Sequence, residues 1–325
     1  MRTHFMSVMF CATMLAVSCP AQERGKAPRL GFLIPASAST VSDRVEEFRQ
    51  GLRDLGYVEG KNLVINYRSA EGKAERLADL AAELVSLKPD VIFTSSPQGA
   101  VAAKKATTTI PIVFVGVSDP VGLGIVSSLA RPGGNVTGLT NFVVDLSGKR
   151  LELIKESIGN IAPAAVLWNS LNPGNRLALK ETEAAAQHFG VKLIVLDVRS
   201  PNDFDDAFQR ATSGRARALL PLPDPLMNTQ RSRLLDFAAK HRLPAMYSAR
   251  EFVDAGGLMS YGPDLPALFR RGAIYVDKIL KGTKPADLPV EQPMKFEFII
   301  NLKAAKQIGL TIPPNVLVRA DKVIK

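Results

Sequence analysis

The chain has 325 residues, with 41 Lys and Arg against 31 Asp and Glu and a formal net charge of +10. Its two cysteines, Cys11 and Cys19, both lie near the N-terminus, which excludes a disulfide framework or a cysteine metal site in the body of the chain. The basic excess invites nucleic acid, but the cations are scattered and no aromatic-interleaved patch accompanies them; the densest group, Arg231, Arg233, Lys240 and Arg242, is spaced as one solvated helix face.

Residues 1–21 read as a signal peptide. Arg2 and His4 form a thin basic start, and Phe5–Val17 is an apolar run shorter than the roughly 20 residues a bilayer span needs. Two processing sites compete. Cys19-Pro20-Ala21 places small residues for cleavage before Gln22, whereas Ala16-Val17-Ser18-Cys19 is a loose lipobox that would put a lipid anchor on Cys19. An uncleaved anchor suits so short a run less well. The folded body is therefore expected to be exported, into the periplasm or beyond.

Strand-like and helix-like segments then alternate. Leu30–Ile34 is a short apolar strand. Residues 41–56 carry Val41, Val45, Phe48, Leu52 and Leu55 at helical spacing, closed by Gly56. Strands follow at Leu63–Tyr67, Val91–Phe93 and Ile112–Val117, separated by helices at 74–87 and 97–107. The pattern starts again with strands at Ala165–Trp168, Lys192–Leu196, Ala218–Leu220 and Ala245–Tyr247 and helices at 174–189, 203–212 and 226–242. A strand at Gly256–Ser260, a helix at 264–281, a strand at Phe296–Ile300 and a helix from Leu302 to Ile308 complete the chain. Short strands alternating with helices of this length mean βαβ units and parallel sheets, and two sets of core residues mean two α/β lobes. Pro132-Gly133-Gly134-Asn135, Gly256-Gly257 and Gly282–Pro293 are the linker candidates. Three such crossings would make a hinge.

In open parallel sheets, ligands bind beyond the carboxyl ends of the strands. Those ends carry Ser37 after the first strand, Thr94-Ser95-Ser96 after the third and Ser118-Asp119 after the fourth. Pro97 suits a first helical turn, so Ser96 is the expected cap of the helix it precedes. Hydroxyls beside free helical N–H groups suit a carboxylate. The second lobe offers Asn169 after Trp168, Asp224 before Pro225, and Tyr247, with Tyr261 near a proposed crossover. Asp119 or Asp224 would face a ligand ammonium. Asp224 has the plainer alternative of capping the helix that Pro225 begins.

The stretch Pro111–Phe142, PIVFVGVSDPVGLGIVSSLARPGGNVTGLTNF, and the stretch Phe48–Asn62, FRQGLRDLGYVEGKN, resemble the solute-binding proteins of ABC importers, in the branch that includes tryptophan- and tyrosine-type receptors. The resemblance extends from about Leu30 to the C-terminus. It implies a type I periplasmic-binding-protein fold, with two doubly wound parallel-sheet lobes joined by a multi-segment hinge. On that plan residues 28–142 and about 258–290 form lobe 1, and residues 143–257 and about 291–325 form lobe 2. It also implies a small-molecule ligand, best taken as an amino acid and by the relatives an aromatic one, and an ABC permease in the inner membrane as partner. A monomer without nucleic acid is expected.

Catalytic signatures are missing. Gly122-Leu123-Gly124 lacks the third glycine of a dinucleotide loop, no phosphate-loop motif occurs, and His188 and His241 lie near no nucleophile elbow. No cofactor, metal or enzymatic activity is expected. Two other classes share the fold: a ligand-sensing domain for a signalling partner, and an exported α/β enzyme.

Overall fold

The computed structural model describes residues 27–142, 144, 146–293 and 295–325. The expected leader and the choice at Cys19 lie outside them. In the first lobe, strands β1 (Arg29–Ile34), β2 (Val64–Ser69), β3 (Val91–Ser95), β4 (Ile112–Val117) and β5 (Val136–Thr140) form one parallel sheet in the order β2-β1-β3-β4-β5. Helices α1 (Ser42–Asp54), α2 (Leu77–Ser86) and α3 (Ser96–Ala106) connect its strands. The order reverses between β1 and β3, so their connections leave on opposite faces and open a crevice at the carboxyl ends.

Helix α4 (Leu146–Ile158) enters the second lobe. There β6 (Ala164–Trp168), α5 (Pro173–Phe189), β7 (Leu193–Asp197), α6 (Asp203–Ser213) and β8 (Ala218–Pro221) repeat the winding, with strand order β7-β6-β8. The helix expected over 226–242 is broken: α7 (Pro225–Thr229) and α8 (Arg231–Lys240) meet at Gln230, whose ψ of 20° leaves the helical well. Strand β9 (Met246–Tyr247) is bridged to β8 through Leu219 and Ala245. Helix α9 (Arg250–Asp254) and strand β10 (Met259–Pro263) follow.

Helix α10 (Leu265–Leu280) then returns to the first lobe, where Leu268, Phe269, Ala273 and Val276 join Phe32, Phe48 and Phe93 in one core. The rings of Phe48 and Phe93 stack 4.0 Å apart and Phe32 meets Phe93 edge-on at 4.9 Å, an arrangement aromatic quadrupoles favour. Gly51 lets α1 approach α10 closely, because a Cβ there would lie 2.7 Å from the Arg270 carbonyl. The chain finally re-enters the second lobe as β11 (Phe296–Asn301), α11 (Leu302–Gln307), α12 (Pro314–Leu317) and β12 (Lys322–Ile324), giving the order β12-β11-β10-β9.

The observed architecture is the expected α/β pair of lobes, with three differences. First, β11 runs antiparallel to β10. The chain leaves the second sheet along β10 and comes back along β11 after its detour through α10, so the two strands must run in opposite directions. Second, β10 pairs within the second sheet, so the return to lobe 1 begins at α10 rather than at about 258; at the other limit, Glu291 bridges Leu139 of the first sheet. Third, the crossings fall between β5 and α4, between β10 and α10, and after Glu291. Two of the three expected linkers are not hinges. Asn135 ties its loop to lobe 1 by donating to the carbonyls of Ile110 (2.8 Å) and Thr107 (3.2 Å). Gly257 is a packing residue, where a Cβ would lie 2.8 Å from Tyr247 Cε2.

Candidate functional site

A cleft runs between the carboxyl ends of the two sheets. The first wall begins where β3 gives way to α3. Ser95 and Ser96 line it. Ser96 is held in left-handed backbone, φ 66°, and its Oγ accepts from the Gly99 amide at 3.3 Å; it ties down the helix start as expected, from a conformation that a non-glycine residue adopts only under constraint. Thr94, one residue earlier, does not reach the cleft. It is fully buried and donates to the Leu33 carbonyl at 3.0 Å, because successive strand residues face opposite ways.

The next strand end is shaped by a bulge. The β4–β5 register slips between Val115 and Val117, at Gly116, which has φ 76°. The kink turns Ser118 into the cleft, where its Oγ donates to Asn141 Oδ1 at 3.1 Å while Asn141 Nδ2 donates to the Gly116 carbonyl at 2.9 Å. It also turns Asp119 away. That carboxylate accepts from the Gly122 amide at 2.8 Å, closing a turn, and does not line the cleft. Asp119 is therefore not where a ligand ammonium would sit. Ser37 is also outside the lining. Its amide donates to Thr229 Oγ1 of the second lobe at 3.0 Å, at the seam between the lobes.

The second wall is built on Asp224, which is 4 % exposed. Its Oδ1 caps α7 by accepting from the Leu226 amide at 2.7 Å and takes a bond from Asn169 Nδ2 at 3.3 Å; its Oδ2 accepts from Asn172 Nδ2 at 2.7 Å. Burial pushes this carboxyl up to about 6, against the pull of those hydrogen bonds towards ionisation. Asn169 supports the acid from behind and is not itself in the lining. The capping and the ligand-facing readings of Asp224 are compatible, since a carboxylate has about four acceptor positions.

The same wall carries two stacked rings. Tyr247 and Phe252 lie 4.6 Å apart at 10° and both line the cleft. The Tyr247 hydroxyl is buried with no partner among the described residues, and burial raises its phenol well above the usual value. Tyr261 does not line the cleft; its ring lies 6.4 Å from both Phe296 and Phe298, on β10 beside the second lobe's core.

Sequence reasoning missed several lining residues, Asn172, Asn175, Phe269 and Arg44 among them. Asn172 and Asn175 had a readable signal: Asn172-Pro173-Gly174-Asn175 is a cap followed by a first-turn proline, and Asn172 Oδ1 indeed accepts from the Gly174 amide. Phe269, on α10, belongs to a helix whose return to lobe 1 is a tertiary fact. Arg44 is 7 % exposed, lines the first wall, and donates through Nε to Glu251 of the second lobe at 2.6 Å. Burial would raise the Glu251 carboxyl, but the charge and hydrogen bond of Arg44 outweigh it and hold it below the usual range. With the Ser37–Thr229 bond and the packing of Pro97 on Gly174, this pair closes the lobes on each other.

Known proteins share this fold. The chain is 27 % identical over 264 residues to a tyrosine-binding protein of Clostridioides difficile, covering 81 % of this chain and 75 % of that one. A Streptococcus pneumoniae ABC domain solved in complex with L-Trp superimposes with a TM-score of 0.84 at 27 % identity, over 92 % of this chain and all of that one. The ligand-free, open structure of a Clostridium difficile substrate-binding protein with adhesive properties gives 0.62 at 25 % identity, over 92 % of this chain and 99 % of that one. A family model described as ABC transporter substrate binding protein matches residues 31–324, and the chain belongs to that family.

Proposed function

We propose that this substrate-binding protein captures an aromatic amino acid, with L-tryptophan and L-tyrosine the first candidates. The observation that carries the reading is the pair of unlike walls: hydroxyls and a helix start on one lobe, and a buried carboxylate together with two stacked rings on the other. A zwitterion with a flat side chain matches both. Its carboxylate would lie at Ser95, Ser96 and the first turn of α3, its ammonium at Asp224, and its ring near Tyr247 and Phe252. The relatives that bind tyrosine and L-Trp support the same choice.

Proteins of this family are exported or periplasmic and pass their solute to a membrane permease. For this chain the proposal is release after Ala21 or acylation at Cys19, followed by delivery as a monomer. Mass spectrometry of the mature N-terminus separates the two forms, and an intact Met1 on cytoplasmic protein would remove both. The ligand is tested by a thermal-shift screen against amino acids and small organic acids. A ligand present at a hundred times its Kd should add about 2.7 kcal/mol of stability. A shift produced by another solute, with none from tryptophan, tyrosine or phenylalanine, would overturn the aromatic assignment.

A further inference from the structure

Among the described residues that line the cleft, Arg44 is the one cation and Asp224 the one acid, and they belong to opposite lobes. Arg44 is buried, yet only part of its guanidinium is engaged. Nε donates to Glu251 Oε1, while neither Nη group hydrogen-bonds another described residue. A guanidinium has five N–H donors in a rigid fork, and Arg44, a residue of the cleft lining, spends only the Nε donor on Glu251. Glu251 is equally one-sided: its Oε2 is buried without a partner, so its hydrogen bonding to another side chain is all directed at Arg44. A half-satisfied ion pair drawn from two lobes is a poor structural device, because buried charges cost desolvation that only complete pairing offsets. It is a good recognition device if a ligand supplies the missing anion.

We infer that Arg44 binds the carboxylate of the ligand, and that Glu251 of the opposite lobe is a positioning residue that fixes the guanidinium once the cleft shuts. This rests on the amino-acid reading above and adds a charged partner to the α3 start. Two consequences follow from the geometry. Solutes without an anionic group leave the buried fork unsatisfied and are rejected. Closure and recognition also become one event, since the ion pair that orients Arg44 exists only when the lobes meet.

The test is calorimetry on the whole protein with L-tryptophan and tryptamine, and with L-tyrosine and tyramine, each amine being its amino acid without the carboxylate. Wild type should prefer the acid over the amine by roughly ten- to a hundredfold, the worth of a charged hydrogen bond. Arg44→Gln should erase that preference by weakening the acid alone, Arg44→Lys should restore part of it, and Glu251→Gln should narrow it. Melting curves of each ligand-free variant identify any that fail to fold, and Arg44→Lys carries the test if Arg44→Gln does. Equal losses for acid and amine, or an undiminished preference in Arg44→Gln, would overturn the inference while leaving the amino-acid reading intact. Wild type that binds neither L-tryptophan nor L-tyrosine brings down that reading, and this inference with it.

Discussion

The two walls of the cleft solve the problem of presenting polarity in different ways. Apart from Arg44, the first lobe uses backbone geometry: a left-handed serine, a bulge at a glycine and a hydroxyl–amide relay, all at strand ends. The second uses a buried acid held by two asparagines and a helix amide. A wall built from dipoles is insensitive to pH and tolerant of small losses. A wall built on one desolvated charge concentrates its contribution in a single group and leaves that group titratable near neutrality.

The sharpest way to break the contrast is to remove the acid. Asp224→Ala should weaken amino-acid binding by roughly ten- to a hundredfold, measured by calorimetry, whereas Asp119→Ala, whose carboxylate closes a turn outside the cleft, should bind like wild type. Equal losses in the two variants would mean that the charge acts at long range and not at the site.

The next test uses pH. With its carboxyl at about 6 in the ligand-free protein, Asp224 takes up a proton below that value, and an ammonium can bind only after the proton leaves. Affinity should therefore fall by up to about tenfold per pH unit below 6 and be flat above it. Asp224→Ala should bind weakly with no such slope between pH 5 and 7. The lining of the first wall holds no Asp, Glu or His to titrate in this window. A slope that survives in Asp224→Ala would assign the titration elsewhere.

The smallest effect belongs to the hydroxyls of the first wall. Ser96→Ala removes the bond to the Gly99 amide and should lower stability by about 1 kcal/mol, with a change in affinity well below that of Asp224→Ala. Melting of the ligand-free variant and calorimetry together separate the two contributions.

The contrast also explains what could be read from the sequence. The rule that ligands gather at strand carboxyl ends located Ser95, Ser96, Ser118, Asp224 and Tyr247, all of which line the cleft. It failed for Asp119 because a bulge at Gly116, invisible in a run of apolar residues, changes which side chain points in. It failed for Thr94 because alternation along a strand decides which hydroxyl is spent inside the sheet. It could not find Arg44, whose role depends on Glu251 more than two hundred residues away. The α/β alternation was plain because each lobe buries apolar runs of the right period, but the crossings were not. Glycine-rich segments suggested hinges, whereas Gly257 serves close packing and the true crossing after β10 is marked only by Pro263 and the capping Asp264.

The detour through α10 has a consequence for how the protein is made. The first lobe's core is incomplete without Leu268, Phe269, Ala273 and Val276, which are synthesised more than a hundred residues after β5. Until they emerge, the side of α1 around Gly51 that packs against Arg270 and Ala273 lacks its cover, and a nascent chain cannot complete this lobe alone. Domains whose sequence is contiguous commonly fold during synthesis; here the knitting of the lobes postpones that step until most of the polypeptide exists. If the chain is exported as proposed, such a delay would leave it unfolded for longer before it crosses the membrane.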